Sequence, residues 1–518
     1  MRAAPAIWIL LIVFLGIRGA DFLHRLLSPD LVAVAFSEGG DDAYYYFTIA
    51  RNIAKGYGIT IDQVHWTSGF QPLWEFIDSI AFLARSDRAA LALIYLASAG
   101  LWLASAMLFV RFVQRDSATA VDETATALVA ALFLCERQLN AAYFNGLETG
   151  LYCTFVLWLM TAFQDYLQAL PSDNDRHRAA KRGLLAGLVM LARNDGVFLC
   201  AALLAAALFG TDRPRRYRDA TTIVAVASAL VVPWLAYCQW AAGYPMPQSG
   251  IATSSSIRDI PHTATAAYGI VVSFVPVFLL KTQNLVRDHL AAAGIVAAIA
   301  TAAIASWSLG NRRPLLDRPS RLVLLAMAAS GIALLAYYSL FSFSFYFYER
   351  YFVPIKLLVV ILLALVLVRA LSWIGNRLLA NGLVLATAAI AVGSNVSWIA
   401  HDFGLPASGH FGEEAYDIAR SSYASDDSRL GLMESGRFGF LYPTRVVNLD
   451  GKVNVEALHA LKNNALDQYL RKANLDFIML RDFDVAFFDE RLPAWRDMYA
   501  PAGNLHSLDI FARKAPAR

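Results

Sequence analysis

Apolar runs of roughly 20 residues, separated by short basic connectors, set the pattern of this chain up to residue 399. The pattern predicts spans at 3–23, 89–110, 120–142, 147–168, 183–193 with 196–210 as a short hairpin, 221–241, 289–308, 321–344, 352–371 and 378–398. Helices of that length cross a hydrocarbon core, which gives about eleven crossings. Basic connectors fall at 111–115, 176–182, 213–218, 312–321 and 369–377. Gathering all five in the cytoplasm leaves the N-terminus inside and the C-terminus outside. Only Arg2 precedes the first run, and no small-x-small cleavage site follows it. It therefore reads as a retained helix, not a removed signal peptide. Two apolar stretches, 72–84 and 264–281, would put a basic loop on the wrong side if they crossed, so they are expected to lie at the outer interface or re-enter it.

The texture changes near residue 400. Strands are predicted at 430–433, 445–449, 476–480 and 507–512, with helical stretches at 436–440, 454–462 and 464–472. Strands alternating with helices suggest a small α/β layer domain. The expected organisation is thus a polytopic α-helical membrane domain over 1–399 and an extracytoplasmic α/β domain over 400–518. The second part reads either as a structural cap or as an acceptor-binding module. Long loops at 24–88 and 242–288, a short one at 345–351, and the α/β domain then share the outer side. The active site is expected there, outside the cytoplasm.

Composition agrees with this assignment. Hydrophobic residues make up 58% of the 518 and charged ones only 16%, with a mean hydropathy of +0.47, whereas soluble domains carry about 25% charged residues. A net charge of +3 implies no nucleic-acid partner. All four cysteines lie in apolar segments, so the C-terminal part has no disulfide frame.

In so apolar a chain, the run Asp41-Asp42-Ala43-Tyr44-Tyr45-Tyr46 stands out. A carboxylate near apolar walls is desolvated and pushed toward the pKa of a working general base. The alternative is a helix cap, which needs only one aspartate. Downstream come Arg51-Asn52, Gly56-Tyr57-Gly58 and Thr67-Ser68-Gly69-Phe70-Gln71-Pro72-Leu73-Trp74. Asn145-Gly146-Leu147-Glu148-Thr149, Arg193-Asn194-Asp195-Gly196, Glu349-Arg350-Tyr351-Phe352-Val353-Pro354 and Asp450-Gly451-Lys452-Val453-Asn454 follow in order. The residues hold no metal-spaced His/Cys/carboxylate cluster and no nucleotide-binding glycine loop.

Together these motifs resemble the GT-C superfamily of integral membrane glycosyltransferases, most of all the mycobacterial-type terminal arabinofuranosyltransferases and their relatives. The resemblance covers most of the chain. It implies inverting transfer of a sugar, a pentose such as arabinofuranose, from a polyprenyl-phosphate donor to an extracytoplasmic glycan or surface-protein acceptor, among membrane lipids. It places the catalytic base on Asp41 or Asp42 and favours Asp41, because relatives with a single such aspartate keep the first position. The leaving phosphate needs cations. Where the family usually follows Pro-x-Ser-Gly with Lys-Ser, this chain follows Gln248-Ser249-Gly250 with Thr253-Ser254. Arg193, Arg350, Arg258 and Lys281 are the candidates to replace that lysine. For the two arginines the alternatives are interface anchoring and, at Arg350, an ion pair with Glu349. Glu148 and Asp195 are expected to hold those arginines or cap helices. Tyr44, His65, Gln71, Gln248, Ser249, Tyr351, Asp450 and Asn454 complete the expected substrate-binding and supporting set. No cofactor is required by the sequence, which leaves room for a divalent cation. A flippase of lipid-linked sugars and a non-catalytic assembly subunit are the rival readings.

Overall fold

The computed structural model describes the chain except residues 1–2, 29–39, 117–120, 169–174, 211–214, 255–315, 342–347, 375, 403–416, 418–427, 493 and 516–518. Arg258, Lys281, the apolar stretch 264–281 and the expected span 289–308 lie outside the described residues.

Helices dominate up to Asp402. They are α1 (Ala3–Leu27), α2 (Asp41–Ala54), α3 (Pro72–Ala81), α4 (Asp87–Gln114), α5 (Glu123–Leu134), α6 (Arg137–Phe144), α7 (Thr149–Gln168) and α8 (Asp175–Ala192). After a single 3-10 turn at Asn194–Gly196 come α9 (Val197–Phe209), α10 (Arg216–Ala242), α11 (Gln248–Ala252), α12 (Arg318–Phe341), α13 (Tyr348–Tyr351), α14 (Val353–Trp373) and α15 (Arg377–Asp402). Among the described residues four helices are long and apolar enough to cross a membrane, or five if the bent pair α6 and α7 is one span. Their outward positions keep large apolar side chains exposed, among them Ile12, Met107, Val232 and Ile332. Such a girdle around a helix bundle suits lipid, not water. The chain is a multi-pass membrane protein.

Two expected helices differ from the pattern. The run 120–142 is broken at Cys135 and Glu136, where the Glu136 carboxylate caps the next helix by accepting from Leu139 N–H. The chain then turns by 116° between α6 and α7. Glu136-Arg137-Gln138 interrupt the apolar run in the sequence, but that Glu136 caps a new helix shows only in the structure.

The bundle has two chemically distinct ends. At one, Gln168 donates to the Arg115 carbonyl and to Asp317, Asp116 accepts from Asp317 N–H, and Arg318 donates to the Gly210 carbonyl. These contacts tie the ends of α4, α7, α9 and α12 together beside the basic connectors. At the other end, Arg88 donates to the Leu26 and Ser28 carbonyls, and α2, α3 and α6 pack across the tops of the long helices.

The C-terminal domain sits on that second end. Its sheet has the order β2-β1-β3-β5-β4, with β1 (Leu430–Leu432) parallel to both β2 (Val446–Asn448) and β3 (Phe477–Leu480). The strands β4 (Tyr499–Leu505) and β5 (Leu508–Arg513) form an antiparallel hairpin. Helices α16 (Gly436–Leu441), α17 (Val455–Lys462), α18 (Leu466–Ala473), α19 (Asp482–Arg491) and α20 (Trp495–Met498) cover it. Buried Trp495, Phe488, Tyr499 and Phe511 form its core, each worth about 1.5–3 kcal/mol of burial. Strand β4 and helix α19 were not expected. Pro501 and Gly503 make β4 look like a turn, but an edge strand with a register shift between them tolerates both.

Helix α3 carries an unexpected feature. Glu75 and Asp78 are fully buried on it, and none of their four carboxylate oxygens has a hydrogen-bond partner among the described residues. Burial, then the neighbouring Asp78 charge, pushes Glu75 well above the carboxylate range; burial, then Glu148, does the same to Asp78. A raised folded-state pKa favours the folded state at low pH, and that advantage fades as pH rises above about 4. The variant Glu75→Gln/Asp78→Asn should therefore melt at a higher temperature than wild type at pH 8, with the gap closing toward pH 4. Calorimetric or fluorescence melts that stay parallel across that range would show the two carboxyls to be ordinarily ionised.

Candidate active site

Helix α2 begins at Gly40, whose backbone is extended, and no side chain caps it. Asp41 and Asp42 occupy its first turn, so neither is the cap of its own helix. Their side chains diverge to different partners.

Asp41 caps a different helix. Its Oδ2 accepts from Gly436 N–H at 2.7 Å and its Oδ1 from Arg437 N–H at 2.9 Å, the free donors opening α16. Gly436 is required there, since a Cβ would collide with the Asp41 carbonyl oxygen. The same helix surface holds the C-terminal domain at further points. Ser435 N–H donates to the Tyr45 hydroxyl, and Arg51 donates to the Phe440 carbonyl at 2.6 Å while lying 4.2 Å over the Phe440 ring. Tyr44 is buried between Phe47 and Phe440, so it belongs to this interface and not to an open site.

Asp42 faces two cations. Its Oδ2 lies 3.2 Å from Arg350 Nη1, and its Oδ1 lies 3.4 Å from Lys452 Nζ. Arg350 comes from the bundle and Lys452 from the turn after β2. Lys452 also meets Asp450 Oδ2 at 3.4 Å, and its own N–H donates to Asp450 Oδ1. Asp42, Arg350 and Lys452 are each only partly buried, with the Asp42 side chain 16% exposed, whereas Asp450 is buried. Burial pushes the Asp42 carboxyl upward, but Lys452 and then Arg350 outweigh it and hold the group below the ordinary carboxylate value.

Behind Arg350 lies a buried second layer. Arg350 donates to the Tyr351 hydroxyl; Tyr351 stacks on Tyr338 at 4.5 Å and lies 5.1 Å under the Arg193 guanidinium. Arg193 is engaged by Glu148 at 2.8 Å and by both oxygens of Asp195, which also accepts from the Tyr338 hydroxyl. Glu148 accepts in turn from Tyr46, whose hydroxyl receives the Gln71 N–H, and the Gln71 side chain accepts from Asn194 N–H. Arg193 therefore stands one layer behind Arg350. Losing one partner of such a buried pair costs about 3–5 kcal/mol.

A third group joins the loops to the domain. Gln248 accepts from the Thr67 hydroxyl and the Ser68 N–H and donates to the Gly451 carbonyl. Ser249 is partly buried in α11, and its carbonyl accepts from Thr253. Asn454 caps α17 by accepting from Ala457 N–H and donates to the Asn448 carbonyl and Tyr469. His65 pairs with Asp62 at 2.7 Å and lies 3.6 Å from Glu456. These residues hold the walls. Lys452, Tyr338 and Tyr45 were missed by sequence reasoning; Lys452 sits inside the Asp450–Asn454 motif, yet its partner is 410 positions away. Among the described residues no group of three or more His, Cys, Asp or Glu could hold a metal ion.

Burial, and then the Glu434 charge, raises Asp41 to about 6 against the pull of Arg437 and the Gly436 N–H. The folded protein thus holds this proton more tightly than the unfolded chain does. The resulting stabilisation is complete at low pH and fades between about 4 and about 6. In melts across that interval, Asp41→Asn should lose this pH dependence, while Asp41→Ala, which leaves two N–H groups unmatched, should be less stable by about 1–3 kcal/mol at every pH. Identical curves for wild type and Asp41→Asn would count against the clamp.

No family model matches the sequence, and no curated protein matches it. Solved structures match it in fold. ArnT from Cupriavidus metallidurans bound to undecaprenyl phosphate superposes with a TM-score of 0.54 at 13% identity, covering 95% of this chain and 98% of that one. The same protein in its apo state gives 0.51 at 14% identity, covering 96% and 98%. The Archaeoglobus fulgidus oligosaccharyltransferase in complex with Zn and sulfate gives 0.52 at 14% identity, covering 92% of this chain and 69% of that one. The chain shares the fold of these proteins.

Proposed function

We propose that this protein is an inverting glycosyltransferase that moves a sugar from a polyprenyl-phosphate donor to an acceptor hydroxyl outside the cytoplasm. The observation that carries this reading is Asp42, a partly exposed carboxylate beside Arg350 at the end of the bundle opposite the basic connectors. The shared fold with ArnT, whose structure holds undecaprenyl phosphate, supports a lipid-phosphate donor.

In the reaction the acceptor oxygen attacks the anomeric carbon and forms the new glycosidic bond. The bond from that carbon to the phosphate oxygen breaks, and its electron pair leaves with the phosphate. The acceptor proton passes to Asp42. Arg350 meets the growing phosphate charge, and the Arg193 layer behind it keeps its guanidinium in place. Asp42 takes the role of base ahead of Asp41 on access: both oxygens of Asp41 are committed to the backbone of α16. Geometry decides before pKa here. The motif resemblance points to a pentose such as arabinofuranose, with a glycan or surface protein as acceptor.

Asp42→Asn should lower transfer by about 10²–10⁴-fold, measured with a polyprenyl-phosphate sugar and protein in lipid nanodiscs, whereas Asp41→Asn keeps most of it. Because Asp42 is held low, wild-type kcat/KM should show no acid limb from the base above pH about 4. A limb near 6 that vanishes in Asp41→Asn would hand the base to Asp41. Full transfer in both single variants and in the double variant would sink the catalytic role of this pair, and no transfer by wild type would leave the flippase and assembly readings standing.

Sidedness has its own check. Asn504 is exposed on β4, far from the four native cysteines of the helical part. A cysteine placed there should react with a membrane-impermeant maleimide in intact spheroplasts. Labelling only after lysis would put the site in the cytoplasm.

A further inference from the structure

The C-terminal domain does more than cover the bundle. Its turn 450–452 delivers Lys452 to the opposite side of Asp42 from Arg350. The delivery is tightly built. A Cβ on Gly69, in the loop before α3, would collide with the Lys452 carbonyl oxygen, so backbone meets backbone beside the lysine. Gln248 fixes the preceding residue by donating to the Gly451 carbonyl at 3.1 Å, and Gly451 itself has φ +77, which admits the sharp turn. Asp41, Tyr45 and Arg51 hold the same domain from α2.

Arg350 and Lys452 together form a fork whose gap is filled by one carboxylate. A phosphate offers the same kind of oxygen acceptors as that carboxylate, with more of them. The donor diester carries one negative charge and the leaving monoester two, so the transition state gains charge on phosphate that a second cation can match.

We infer that Lys452 is the second cation on the donor phosphate, carried into the site by the C-terminal domain, and that the phosphate takes Lys452 and Arg350 from Asp42 as it binds. The inference rests on the glycosyl-transfer reading and adds to it a catalytic residue from the second domain. Asp42 then has two states. Without donor it keeps the two cations apart and in place; with donor its oxygens are freed for the acceptor hydroxyl. Asp41 is a positioning residue in the same scheme, acting through α16.

Binding of undecaprenyl phosphate to the full-length protein in nanodiscs tests this without turnover. Lys452→Gln should weaken binding about tenfold or more, Lys452→Arg should keep it, and Asp42→Asn, which removes the competing carboxylate, should bind as tightly as wild type or tighter. Melting of each variant follows folding. Should Lys452→Gln fail to fold, Gly69→Ala displaces the lysine with its charge intact, and the same loss of affinity is expected. Wild-type affinity in Lys452→Gln or Gly69→Ala would overturn the assignment while transfer by wild type leaves the glycosyltransferase reading intact. Wild type that neither binds undecaprenyl phosphate nor transfers sugar would overturn both.

Discussion

A single carboxylate, Asp42, is balanced between two cations supplied by different halves of the molecule, and the arrangement around it follows from that balance. Arg350 arrives on the short helix before α14, and Lys452 arrives on a turn of the C-terminal sheet. Each cation is paired, Arg350 with Asp42 and Lys452 with both Asp42 and Asp450, because a desolvated charge needs a partner. Asp42 supplies the charge common to both. The neighbouring Asp41 spends its own oxygens on α16 and so keeps the two halves in register. Adjacent identical residues thus carry different tasks because successive positions in a helical first turn point about 100° apart.

The second layer shows how rigidity is obtained near a site that must exchange partners. Arg193, Glu148, Asp195, Tyr338 and Tyr351 form a closed set in which the guanidinium lies against aromatic rings and meets two carboxylates. They come from points far apart in the chain: Glu148 just before α7, Arg193 and Asp195 at the 3-10 turn, Tyr338 in α12 and Tyr351 in α13. Gly146 makes one of the joins possible. It sits at φ +75 against Phe47 and gives its carbonyl to the Trp74 indole N–H at 3.1 Å, which locks α3 to the turn before α7. The partly buried groups around Asp42 are accordingly backed by the buried Arg193, Glu148 and Tyr338. Exchange is confined to the front layer.

Much of this was legible from residue pattern. The helical membrane class, the change of texture near 400 and the strands β1, β2, β3 and β5 all follow from charge and periodicity. So does the gathering of basic connectors at one end. What was illegible has specific causes. Lys452 meets Asp42 across 410 positions and Arg350 meets it across 308, and single-sequence reasoning has no access to such pairs. Glu75 and Asp78 sit inside a stretch read simply as apolar, and only packing reveals that their carboxyls face the interior. The capping alternative for the acidic pair was framed around its own helix. Capping does occur, but across domains, which changes which aspartate is left for chemistry.

The deciding observation is where a lipid phosphate binds relative to Asp42. A cryo-electron microscopy structure of the full-length protein with undecaprenyl phosphate answers that directly. Phosphate density is expected between Arg350 and Lys452, with the Asp42 carboxylate released from both and open toward the acceptor side. Phosphate bound elsewhere, with the Asp42 contacts to Arg350 and Lys452 intact, would contradict it.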